Sequence, residues 1–200
     1  MTDRHGRIFV VTGIPGVGKS TVLDASIEAA RTSGMGEVVI MNYGTVMFDE
    51  AKSKGLVESR DQMRGLPAET QREIQRSAAK KIANTAKSKI VIVDTHILIK
   101  TPEGFLPGIP IWVTEALRPD TIILVEASPE EVAGRRSKDA TRTRDTESVE
   151  DIKLHQELCR AAALASAEIS GSTVKIIINH DGKAEEAAAD TVKLFKALER

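Results

Sequence analysis

The segment GIPGVGKST, from Gly13 to Thr21, forms a glycine-rich turn that ends in a lysine and two hydroxyls. Its spacing fits G-x-x-x-x-G-K-[ST], and each residue type there has a physical task. Glycines let the backbone wrap closely around an anion, the lysine bridges the outer phosphates of a nucleotide, and the hydroxyl faces a Mg²⁺ ion. Gly13, Ile14, Pro15, Gly16, Val17, Gly18, Lys19, Ser20 and Thr21 are therefore the candidate phosphate-binding residues. Lys19 is the charge expected to act on the reacting phosphoryl group, and Ser20 stands on the metal side.

A second group of residues decides what that phosphate is used for. Asp94 closes the run KIVIVD, where a carboxylate holds or orients the Mg²⁺ shell, so Ser20 and Asp94 are the metal candidates. Thr95 and His96 come next, with no glutamate immediately after. A hydrolytic ATPase commonly needs a carboxylate there to activate water, whereas a phosphate acceptor is already an oxygen nucleophile that needs positioning. This favours a kinase. Arg60 and Arg64 follow the second apolar run, while Arg135, Arg136, Arg142 and Arg144 follow the fourth. Guanidinium groups converging from two sides suit the clustered negative charge of transfer between phosphates, because they grip oxygens bidentately. An N-K-x-D guanine-reading segment is missing, and a non-catalytic nucleotide module has no need of a second arginine group. Two alternatives stay open: a P-loop kinase with another acceptor, such as CMP, and a nucleotide-dependent switch.

The elements that must position these residues are legible as alternating patterns. Strands are expected at Arg7–Thr12, Glu37–Asn42, Lys89–Asp94, Thr121–Glu126 and Thr173–Asn179, with helical periodicity between them. Such alternation specifies a parallel sheet with helices on both faces. Leu23, Ile27 and Ala30 mark the helix that leaves the glycine turn, and Ile74, Ala78 and Ile82 mark another after Pro67. Ser128-Pro129-Glu130-Glu131 offers an N-cap serine, a first-turn proline and a capping-box glutamate. Further helices are expected near Glu147–Ile169 and Ala184–Leu198. The stretch HILIKTPEGFLPGIPIWV, with its three prolines, reads as a loop that packs over the site or forms an interaction surface.

At 200 residues the chain has the length of one α/β domain, and 28 basic against 29 acidic residues leave a formal charge of −1. No global electrostatic attraction to nucleic acid or to a membrane surface follows from that balance, so any anion site is local. Cys159 is the single cysteine, which excludes an intramolecular disulfide and a cysteine-based zinc site. The N-terminal MTDRHGR has no apolar signal region, and no apolar run nears the ~18 residues of a membrane span. A soluble, cytoplasmic protein is expected.

Taken together, GIPGVGKST, NYG, RDQMR, VDTHILIKTPEGFLPGIP, GRRSKDATRTRDTES and GSTVKIIIN resemble the archaeal-type adenylate kinases over nearly the whole chain. The resemblance implies a P-loop NTPase-type three-layer α/β sandwich with a five-stranded parallel sheet, a small AMP-binding part at about residues 42–72 and a short lid at about 134–147. It implies reversible, Mg²⁺-dependent phosphoryl transfer from ATP to AMP, giving two ADP. The ATP phosphates would lie on the glycine turn, AMP on Tyr43, Gly44, Thr45, Arg60 and Arg64, and the lid arginines would be Arg135, Arg142 and Arg144, with Arg136 a fourth. NHDG, from Asn179 to Gly182, looks like the turn whose backbone reads the ATP adenine. A homotrimer is the assembly the resemblance implies.

Overall fold

The computed structural model describes residues 6–33, 35, 37–138 and 147–197. Five parallel strands form the main sheet in the order β2-β3-β1-β6-β7: β1 Ile8–Thr12, β2 Val38–Asn42, β3 Ile90–Asp94, β6 Thr121–Glu126 and β7 Thr173–Ile178. The three central strands, IFVVT, IVIVD and TIILVE, are buried almost throughout, as strands covered on both faces must be. β2 and β7 form the edges and keep partly exposed side chains.

Helices α1 Lys19–Thr32 and α7 Ala184–Ala197 pack together on one face of this sheet. On the other, α3 Ala68–Thr85, α4 Ile111–Leu117 and α6 Val149–Ser170 form a row. Phe195 of α7 meets Phe9 of β1 with ring centroids 4.5 Å apart, closing the first of these layers over the strand that delivers the glycine turn. α5 Pro129–Lys138 follows β6, and its start is the expected capping box: the Ser128 hydroxyl accepts from the Glu131 N–H at 3.2 Å and the Glu131 carboxylate accepts from the Ser128 N–H at 2.9 Å. α6 carries a second such box, Ser148 with Asp151, and stops at Gly171, whose φ of 71° is the left-handed conformation of a C-terminal glycine.

Between β2 and β3 the chain builds a satellite. α2 Tyr43–Ser53, a short 3₁₀ helix Asp61–Gly65 and the start of α3 enclose a small core of Ala51, Val57 and Ile74, with Met47, Phe48, Met63 and Leu66 against it. Tyr43 ties it to the main body, its hydroxyl donating to the Gln75 carbonyl at 2.8 Å while the Gln75 side chain accepts from the Trp112 indole at 2.8 Å.

The proline-rich stretch after β3 is ordered structure rather than loop. β4 Leu98–Thr101 and β5 Gly104–Pro107 pair as an antiparallel hairpin, and α4 follows directly. Thr101-Pro102-Glu103-Gly104 has proline second and glycine last, the chemistry of a tight turn, with Gly104 at φ 131°. Pro107 sits at the end of an edge strand and Pro110 caps α4, so none of the three prolines breaks a ladder from within. The hairpin is closed by Gly108, whose N–H donates to the Ile97 carbonyl at 2.8 Å. A Cβ on Gly108 would lie 1.8 Å from the His96 carbonyl oxygen. Gly108→Ala should therefore push the hairpin off the end of β3 and cost about 1–3 kcal/mol or more of stability, read from urea unfolding; an unchanged midpoint would show that the approach is not obligatory.

Candidate active site

The glycine turn lies between the carboxyl end of β1 and the first turn of α1, and three of its carbonyls are tied down on its outer side. The Gly13 carbonyl faces His96 Nδ1 at 3.1 Å, the Pro15 carbonyl accepts from Arg136 Nε at 2.8 Å, and the Val17 carbonyl accepts from Asn179 Nδ2 at 2.8 Å and from an Arg135 terminal nitrogen at 3.0 Å. A carbonyl only accepts, so His96 carries its proton on Nδ1. Burial and the neighbouring Lys19 charge lower the His96 pKa, which keeps the ring neutral in this role. Gly16 and Gly18 have φ of 95° and 80°, a geometry that side chains resist, and a Cβ on Gly18 would strike the Asn179 amide at 2.4 Å. No side chain caps α1 and no acid stands in its first turn, so its leading N–H groups are left for an anion.

Lys19 opens α1 and reaches across to β3. Its ammonium pairs with Asp94 Oδ1 and donates to the Thr95 carbonyl at 2.9 Å. Asp94 Oδ2 accepts from Asn42 Nδ2 at 2.9 Å, so both carboxylate oxygens are engaged. Thr95 N–H donates to the Val11 carbonyl at 3.1 Å, and Ile97 N–H donates to the Thr12 hydroxyl at 2.7 Å, which fixes the exit of β3 against the end of β1.

A cleft of about 880 Å³ runs from the glycine turn to the satellite. Ile14, Pro15, Gly16, Gly18, Lys19, Ser20 and Thr21 face it from one side, while Gly13 and Val17 are buried behind them. Tyr43, Gly44 and Arg60 face it from the other, and Asp94 and Arg135 complete its wall. Thr45 does not line the cleft but holds the Arg60 guanidinium through its hydroxyl. Arg64, on the 3₁₀ helix, is exposed and also off the cleft wall.

The arginines after β6 divide. Arg135 and Arg136 belong to α5, not to a separate lid segment, and both are engaged. Besides Val17, Arg135 donates to the Asn179 carbonyl at 2.8 Å and to Asp181 Oδ1 at 2.7 Å; Arg136 pairs with Glu147, which also accepts from Lys100 at 2.7 Å. Arg142 and Arg144 lie outside the described residues.

Comparison with known proteins agrees with this arrangement. The AAA domain family matches residues 12–153. A protein named adenylate kinase from Methanocaldococcus jannaschii is 50% identical over 190 residues, covering 95% of this chain and 98% of its own length. Another of that name, from Methanopyrus kandleri, is 50% identical over 195 residues, covering 96% of this chain and all of its own. The chain belongs to the adenylate kinase family. Among solved structures, shikimate kinase from Bacteroides thetaiotaomicron shares the fold, with a TM-score of 0.56 at 11% identity over 95% of this chain and 98% of its own. Among the described residues, no helix is long and apolar enough to cross a membrane.

Several residues of the site carry no motif of their own. Asn42 and Gln75 line the cleft, Thr12 anchors the exit of β3, and Asn179 holds the glycine turn. Position hinted at three of them, since Thr12, Asn42 and Asn179 each end an expected strand, where ligands gather in a sheet of this kind, and Asn42 and Asn179 also open the NYG and NHDG segments; nothing pointed to Gln75. The NHDG turn is also secured by a carboxylate, since Glu131 accepts from the Asp181 N–H at 2.7 Å as well as from Ser128. Those N–H groups hold its pKa down, from an ordinary 4.5 to about 2. A lowered carboxylate pKa means stability that is complete above about pH 4.5 and lost as pH falls towards about 2. Glu131→Gln should thus be less stable than the parent at neutral pH, with the difference narrowing below about pH 4.5 in urea melts; a constant difference down to acid would show that Glu131 does not secure the turn as an anion.

Proposed function

We propose that this protein transfers the γ-phosphoryl group of MgATP reversibly to AMP, giving two ADP. The observation that carries the reading is that Lys19, on the uncapped start of α1, and Arg60 line one cleft from opposite sides. Transfer between two phosphates needs little covalent chemistry from a protein, only alignment and neutralisation of charge.

The residues divide the work by position. Backbone N–H groups from Gly16 to Thr21 take the ATP phosphates, and Lys19, held by Asp94 and the Thr95 carbonyl, turns its remaining N–H to the outer phosphates. Tyr43, Gly44 and Arg60 take AMP, with Thr45 setting the Arg60 guanidinium and Arg64 at the outer margin. Arg135 and Arg136 act as supports of the glycine turn, while Arg142 and Arg144 are the arginines left to close over the phosphates. Transfer is favoured over hydrolysis because Thr95 and His96 follow Asp94, with no carboxylate at the place where a hydrolytic ATPase commonly activates water. Ser20, exposed on the first turn of α1, and the Asp94 carboxylate offer oxygen donors of the kind Mg²⁺ takes together with substrate phosphates. Among the described residues no cluster of acidic, histidine or cysteine side chains competes for a metal. When bound, the ion would neutralise charge on the β- and γ-oxygens. Asp94, with both oxygens engaged by Lys19 and Asn42, would act on the water shell of that ion.

The test is ADP formation from ATP with AMP, run beside CMP, UMP and GMP as rival acceptors. ADP formation with AMP preferred is expected; nucleotide binding without transfer to any of the four would overturn the reading in favour of a switch. Lys19→Met should keep the fold and lower kcat at least about a hundredfold, since a preorganised charge contact in a dry site is worth about that much. Near-normal turnover in that variant would remove Lys19 from the chemistry. Arg60→Ala should raise the KM for AMP much more than that for ATP, and equal changes in the two would contradict its place on the acceptor side.

A further inference from the structure

A continuous line of side-chain hydrogen bonds joins the two halves of the cleft. Arg60 donates to the Thr45 hydroxyl, and that hydroxyl donates to Asn42 Oδ1 at 3.1 Å. Asn42 Nδ2 donates to Asp94 Oδ2 at 2.9 Å, and Asp94 Oδ1 accepts from Lys19. The line starts at the arginine of the satellite and ends at the lysine of the glycine turn. Its middle member, Asn42, is the last residue of β2 and stands in register with Asp94, the last residue of β3.

Asn42 can occupy only one orientation. Its Oδ1 also accepts from the Thr45 N–H at 3.0 Å, capping α2, so the oxygen must face the helix and the NH₂ must face the carboxylate. Turning the amide over would set NH₂ against two donors and oxygen against an anion. A single side chain thus caps the helix that carries the acceptor-side residues and orients the carboxylate that holds Lys19. We propose that Asn42 is a positioning residue for the transfer: by fixing Asp94, and through it Lys19, relative to α2, it keeps the donor and acceptor halves in line. The inference rests on the reaction proposed above and adds to it a residue that touches the reacting groups only through others.

Two substitutions separate this role from capping, because serine and aspartate cap a helix about as well as asparagine. Asn42→Ser keeps an acceptor for the Thr45 N–H but is too short to reach Asp94. Asn42→Asp keeps both the shape and the cap, yet sets a second carboxylate against Asp94. Like charges at that distance repel, so the carboxylate that the amide held is pushed from its place.

Both variants should melt within a few degrees of the parent, with kcat lowered about tenfold or more, the size expected from losing a hydrogen bond to a charged group. The KM values for ATP and for AMP should stay within about twofold in both variants, a split that loss of the α2 cap or of a substrate contact would not give. The proposal is overturned by Asn42→Ser with kcat within twofold of the parent, by a loss that follows a fall in melting temperature in both variants, or by a rise in either KM as large as the fall in kcat. The parent in the same assay keeps two failures distinct. A parent that forms no ADP refutes the reaction and this inference with it, whereas an active parent with unimpaired variants refutes Asn42 alone.

Discussion

A backbone that is to receive an anion must keep its carbonyl oxygens turned away from it. In this protein that constraint is met by side chains acting from outside the turn: His96 at Gly13, Arg136 at Pro15, and Asn179 with Arg135 at Val17. They come from three elements: the exit of β3, helix α5, which supplies both arginines, and the exit of β7. The glycine turn is therefore not shaped by its glycines alone. Glycine permits the left-handed conformations at Gly16 and Gly18, but the surrounding fold selects them.

This dependence explains why the site sits where the sheet reverses its order. β1 is followed in space by β3 on one side and β6 on the other, so the carboxyl end of β1 opens into a crevice that residues from both neighbours can reach. Thr95, His96 and Ile97 run from β3 along one wall and are fixed there by Val11, Thr12 and Gly13. Asn179, one strand further out than β6, closes the other. The hairpin β4–β5, locked by Gly108 onto Ile97, extends the first wall and supplies Pro107 and Leu106 to the cleft. Packing of the hairpin and geometry of the phosphate turn are thus one structural problem.

How much of this was legible depended on whether a residue's task is local. The five strands emerged within a residue or so of their bounds because buried parallel strands are continuous apolar runs, and the glycine turn emerged because its task is written in consecutive residues. The capping box at Ser128 was legible for the same reason. The hairpin was not: three prolines masked two short strands whose partnership is made by a Thr-Pro-Glu-Gly turn and a tertiary contact at Gly108. Arg135 and Arg136 could be assigned to the site but not to a side of it, since only the fold shows that their donors point at the backs of Val17 and Pro15. Asn42 opens the NYG segment, but nothing there tells its role, because its importance lies in being in register with Asp94, and register is a property of two strands.

With a formal net charge of −1, the chain attracts a polyanion only where it concentrates positive potential. The side chains supply less of it than their number suggests. Lys19 is neutralised by Asp94, Arg136 by Glu147, and Arg135 by Asp181. What is not cancelled is the backbone, together with Arg60, whose partner Thr45 is neutral: the first turn of α1 has neither a side-chain cap nor an acidic residue of its own, which leaves its N–H groups to an anion. Fixed dipoles of this kind need no reorganisation when charge arrives, so they suit binding, whereas a lysine held by a carboxylate and a carbonyl gives up part of its charge and gains a fixed place. The ion pair between Lys19 and Asp94 therefore serves alignment more than affinity: the carboxylate set by Asn42 fixes where the ammonium stands before a phosphate arrives.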